Sequence, residues 1–143
     1  MQTLSFSGDA GGSIEIRING YERAVTGEYF DDNWLSAQVV IRAGGFNGKF
    51  SAAFITSELV AFYEQMLALH TSLKGNAVFQ TLEQQLSLTL VGDGLGRIRL
   101  AGLAEDQPGI GNRLSFGFEF DQTQLQVSVR ALEQVLSKFP VRA

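Results

Sequence analysis

The chain has 143 residues, 45% hydrophobic and 18% charged, which is enough for a single domain over residues 1–143 with a core of its own. Fifteen acidic against eleven basic residues give a formal charge of -4, which disfavours a nucleic-acid phosphate backbone as partner and favours a basic protein. The absence of cysteine excludes disulfides and thiol chemistry, and with no basic start followed by a long apolar run the expected compartment is the cytoplasm, without membrane attachment.

Leu4 and Phe6 predict a short opening strand, closed by the loop Gly8 to Gly12. Ile14, Ile16 and Ile18 then alternate with Glu15, Arg17 and Asn19, the pattern of a strand with one wet face. The segment Gly20 to Asn33 is irregular, with Glu22, Glu28, Asp31 and Asp32 around Tyr21, Tyr29 and Phe30. Two readings stand side by side: aromatics beside carboxylates grip a protein partner, or Tyr29 and Phe30 cover one end of the core and the carboxylates solvate a loop. Leu35, Ala37, Val39, Ile41 and Ala43 share one face, Gly44-Gly45 reverses the chain, and Phe46, Phe50, Ala52 and Phe54 continue at period two as a hairpin.

The stretch Thr56 to Gly75 carries Leu59, Phe62, Met66, Leu69 and Leu73 at helical spacing. Thr56 or Ser57 is expected to cap its start, with Glu58 in the first turn and Lys74-Gly75 as its end. Strands follow at Val78-Phe79, at Leu86 to Leu90, and, after the turn Gly92 to Gly96, at Ile98 to Leu100. Residues 102–112 read as a loop around Gln107-Pro108-Gly109. Leu114, Phe116, Phe118 and Phe120 predict a strand at the centre of a sheet. Beyond it, Leu125, Val127 and Val129 would suit a strand, while Leu125, Val129, Leu132, Leu136 and Phe139 suit a helix. The helix is preferred over Thr123 to Ser137, capped by Asp121 or Thr123 and stopped by Pro140. The expectation is an α+β fold: one twisted antiparallel β-sheet with two helices packed across its apolar face, in two strand-rich halves that each end in a helix.

No motif assigns catalysis, a metal or a cofactor. His70 is the only histidine and has no second ligand or orienting partner at a metal or relay spacing. Gly8 to Gly12 lacks the lysine and helix of a phosphate loop, and Gly92 to Gly96 lacks the further oxygen ligands of a calcium loop. Arg97 and Arg99 share a strand face, with Glu83, Glu119 or Asp121 available to neutralise them. Asp31-Asp32 and Glu105-Asp106 are adjacent pairs, which point to opposite faces of a strand and so do not make a glycosidase pair.

Four phrases, Ile18-Asn19-Gly20-Tyr21-Glu22, Asp31-Asp32-Asn33-Trp34-Leu35, Phe118 to Thr123, and Lys138-Phe139-Pro140-Val141-Arg142, resemble the bacterial WapI-like immunity proteins and their relatives. In these phrases Trp34 looks like a core anchor, and Asp31 and Asn33 like groups that fix a loop. The resemblance implies a non-catalytic protein that protects a cell by occluding the nuclease end of a wall-associated, contact-dependent toxin. On that reading Tyr29, Asp31, Asp32, Glu105 and Asp106 are the candidate protein-binding residues, since loops at strand ends can present them together. The competing classes are an interaction protein that forms a homo-oligomer through a sheet edge or apolar patch, and a small-molecule enzyme whose residues converge from separate loops.

Overall fold

The structure, a computed structural model, describes residues 1–143. Strands β1 (Gln2–Ser7), β2 (Ser13–Tyr21), β3 (Trp34–Ala43) and β4 (Phe46–Ile55) form one antiparallel sheet in that order. A one-turn helix, α1 (Tyr29–Asp32), lies between β2 and β3, and helix α2 (Thr56–Ser72) follows β4. The second half repeats the plan: β5 (Lys74–Phe79), β6 (Leu86–Asp93), β7 (Arg97–Glu105) and β8 (Arg113–Asp121) make a second four-stranded antiparallel sheet, followed by α3 (Gln122–Lys138). Helix α2 packs against β5, α3 packs against β1, and the two helices touch each other. Each sheet thus has one outer strand covered by a helix.

The α+β class, the antiparallel pairing and the apolar helix stripes hold. The strands divide between two sheets instead of filling one, because α2 stands between β4 and β5. The inward residues meet in one core that draws on both sheets and both long helices. Five phenylalanines run through it: Phe120 on β8 lies 5.8 Å from Phe6 on β1, Phe6 lies 6.2 Å from Phe62 on α2, and Phe62 lies 5.2 Å from Phe79 on β5. Phe54 on β4 closes the row, 5.3 Å from Phe79.

Helix α2 ends earlier than Gly75. Leu73 turns left-handed at φ 62°, its N–H still bonded to Leu69 O at 2.7 Å, and Lys74-Gly75 already pair in β5. At the other end neither Thr56 nor Ser57 caps the helix. The Glu58 carboxylate accepts the Ile55 N–H at 2.7 Å and also the Leu82 N–H, while the Thr56 hydroxyl is used elsewhere. Burial nonetheless raises the pKa of Glu58, against the lowering effect of those two amides. Helix α3 is capped by Asp121, whose Oδ1 accepts Thr123 N–H at 2.9 Å and Gln124 N–H at 3.4 Å.

Two further expectations change. The loop placed at 102–112 begins only at Asp106, since β7 continues through Glu105 in register with β6 and β8. Gly102 permits this: a Cβ there would lie 2.3 Å from the Phe116 ring, so the missing side chain is what lets that ring fold over the strand. The phenylalanine-rich β8 is an outer strand, not a central one, and its rings are buried by the layers above them.

Candidate functional site

The connection between β2 and β3 is irregular in sequence but closely held in space. Between the pairs Ile18↔Ala37 and Gly20↔Ser36 the register slips by one residue, a bulge at Asn19 next to Gly20 at φ 151°. Alternation alone would put Tyr21 on the wet face with Glu15 and Arg17. The bulge turns it to the inner face, opposite Leu35. There its ring meets Phe139 edge-on at 5.6 Å, its hydroxyl donates to Pro140 O, and the Arg142 guanidinium stacks over it at 3.4 Å. The segment after α3 is therefore strapped across the end of the first sheet.

Two buried polar side chains fix the loop itself. The Asp32 carboxylate accepts the Thr26 N–H and hydroxyl, both at 2.7 Å, and the Gly27 N–H at 2.9 Å. The Thr26 hydroxyl, then the Thr26 and Gly27 amides, and finally the charge of Arg142, hold its pKa below the ordinary aspartate value, against the opposing effect of burial. Asn33 donates from Nδ2 to Tyr29 O at 2.8 Å and to Arg142 O at 2.9 Å. Its Oδ1 accepts the Arg142 N–H at 2.8 Å and the Thr56 hydroxyl at 2.7 Å. One side chain thus joins the loop, the start of α2 and the C-terminal strap.

Held this way, the loop presents an apolar surface with a charged border. Phe30 is 63% exposed and Val25 66%, and Tyr29 packs edge-on against Phe30 at 5.5 Å. Val141 of the strap is exposed beside the strap residues that Asn33 holds. Glu22, Glu28 and Asp31 are exposed, and only Asp31 has a basic partner, Arg23 at 4.0 Å with both side chains about half in solvent. Tyr29 and Phe30 thus stand in solvent above a buried polar framework. Tyr29 and Phe30 do not cover the core.

The five residues singled out from sequence do not form one surface. Tyr29 and Asp31 belong to this loop. Asp32 is buried beneath it, with its oxygens spent on the loop's own amides. Trp34 is only half-buried, and the loop-fixing pair is Asp32 and Asn33, not Asp31 and Asn33. Glu105 is buried at the end of β7, where it accepts Arg113 Nε at 3.4 Å. Asp106 is exposed but accepts the Asn112 N–H at 2.7 Å. The first group sits at the β2–β3 junction of one sheet and the second at the β7–β8 junction of the other, and no hydrogen bond or ion pair joins them. Phe30, Val25, Glu28 and the supporting Asn33 complete the surface; among the signals in the sequence, only the local mixture of aromatics and acids pointed to it.

Other candidate chemistry is accounted for locally. Arg97 makes its close ion pair with Asp9, which raises its pKa, and the charges of Glu119 and Asp121 on the neighbouring strand act in the same direction. Asp93 accepts Leu95 N–H at 2.7 Å and Arg97 N–H at 3.1 Å inside its hairpin turn. No three His, Cys, Asp or Glu side chains are grouped to hold a metal, and no helix is long and apolar enough to cross a membrane.

No curated protein matches the chain. The model of the Immunity protein WapI-like family matches residues 5–140, from within β1 to the proline that Tyr21 holds. With nearly its whole length matched, and the loop and its strap both inside the match, the chain belongs to the Immunity protein WapI-like family.

Proposed function

We propose that the protein is a non-catalytic immunity protein that binds the nuclease domain of a bacterial toxin and covers its substrate-binding face, using the surface formed by Val25, Tyr29, Phe30 and Asp31. The observation that carries this reading is the contrast within one short loop. Asp32 and Asn33 are buried and fully bonded, while Phe30 directly beside them is 63% exposed. A rigid loop loses little conformational entropy on binding, so its exposed rings can act as anchors. A net charge of -4 and unpaired Glu22 and Glu28 beside those rings suit a basic face, such as one that binds nucleic acid.

The test is a titration of the toxin's purified nuclease domain with the intact protein, read as nuclease activity and as association kinetics at several salt concentrations. Activity falls to the baseline at one equivalent. Glu28→Lys combined with Asp31→Lys slows association about tenfold at low salt and much less at high salt, whereas Tyr29→Ala combined with Phe30→Ala speeds dissociation about a hundredfold. Unchanged affinity and salt dependence in both variants would place the contact elsewhere.

A further inference from the structure

Strands β4 and β8 pair on one side only, and their free edges lie across a groove from each other. The Ala43 to Phe46 hairpin, with its two-residue turn, makes Ala43 and Phe46 a hydrogen-bonded pair. By alternation Gly48 and Phe50 also bond to β3, and Asn47, Lys49 and Ser51 direct their backbone groups outward. Ser51 agrees with this, since its carbonyl accepts Gln85 Nε2 at 3.1 Å. On β8 the Glu119 carbonyl faces outward to Asp9 N–H at 2.9 Å, so Arg113, Ser115 and Gly117 present their amides and carbonyls on the same side. The outward groups of Asn47, Lys49, Arg113, Ser115 and Gly117 have no partner within the protein.

Two adjoining cavities of about 380 and 740 Å³ run between these edges and share Phe46 and Leu114 in their walls. Phe46, which the alternation of β4 would place on the core, is 69% exposed here. The charge around the groove opposes that of the whole molecule. Arg42 and Lys49 line it without an ion pair, while Arg113 on the opposite edge is paired with Glu105. The one carboxylate in the lining, Asp106, is turned into its own loop by Asn112.

We infer that this groove binds an extended acidic segment of another protein, which adds as a strand to the free edges. Its apolar side chains would meet Phe46 and Leu114, and its carboxylates Arg42 and Lys49. Gln85 closes the groove at Ser51, so the docked strand is about five residues long at ~3.3 Å each. A second copy of this chain fits poorly, because its own free β4 edge would bring Lys49 against a like charge. The inference does not depend on the immunity reading, and the groove shares no residue with the β2–β3 loop.

Fluorescence anisotropy with a dye-labelled peptide of alternating glutamate and valine tests it on the intact protein. Saturable binding is expected, weakened about tenfold by Lys49→Glu and about tenfold by Ser115→Pro, which removes an outward amide without breaking a β7–β8 bond. A lysine-valine peptide of equal length binds at least about tenfold more weakly. Circular dichroism confirms that both variants keep their fold, and both still inhibit the nuclease if the immunity reading holds. No saturable binding, equal binding of the lysine peptide, or folded variants with unchanged affinity would overturn the inference. So would a dimer, seen by light scattering, that the peptide dissociates, since the occupant would then be a second copy.

Discussion

Phe62→Ala is expected to lower the unfolding free energy by about 4 kcal/mol, near the middle of the range for truncating a buried phenylalanine. The ring is fully buried on α2 and stands between Phe6 of the first sheet and Phe79 of the second, at 6.2 and 5.2 Å. Its neighbours cannot close the gap cheaply. Phe6 is held by Phe120 at 5.8 Å and Phe79 by Phe54 at 5.3 Å, so collapse on one side would pull open another contact. Urea unfolding should show a lower midpoint with an unchanged slope. A loss below about 1.5 kcal/mol would mean that the ring row does not join the halves and that the helix contacts with β5 and β1 do so without it.

Asn33→Ala is expected to cost about 3 kcal/mol, although it removes far less apolar surface. Four hydrogen bonds from one buried side chain disappear together. The Tyr29 and Arg142 carbonyls, the Arg142 amide and the Thr56 hydroxyl lose their partners, and those that stay buried carry a desolvation cost. The loss has a location as well as a size. Hydrogen exchange should accelerate at Tyr29 to Asp32 and at Arg142 while the strands of the second sheet keep their protection. Uniform acceleration throughout the chain would contradict the assignment of Asn33 as a local clamp.

Much of the fold was legible because each half-buried strand declares its inward face by alternation. Ile14, Ile16 and Ile18, and later Phe116, Phe118 and Phe120, point inward as read, and Asp121 caps α3. Alternation does not say which strands are neighbours, so the division into two sheets and the outer position of β8 were hidden. Composition misled at 102–105, where Gly102 and the acidic pair ahead of Pro108 suggest a loop but Gly102 serves to admit the Phe116 ring. The end of α2 was misplaced because Leu73, a residue that seldom turns left-handed, makes the stop that Gly75 was expected to make.

The loop was legible as a mixture of aromatics and acids, and its support was not. Asp31 and Asp32 are indistinguishable by type, and only the folded position of Thr26 and Gly27 makes the second the structural one. The bulge that redirects Tyr21 depends on pairing with β3, and the strap that Tyr21 and Asn33 hold comes from the far end of the chain. Glu105-Asp106 lies apart from that loop: Glu105 is buried in an ion pair with Arg113, and Asp106 is exposed in the turn around Asn112.

We propose that the β2–β3 loop and its strap form the contact surface for a nuclease toxin domain. Hydrogen exchange by mass spectrometry on the protein alone and with one equivalent of that domain tests it most directly. New protection is expected over residues 22–33 and 139–142, with no change at the free edges of β4 and β8. Protection confined to other segments, with exchange over residues 22–33 unaltered in a complex that forms, would contradict it.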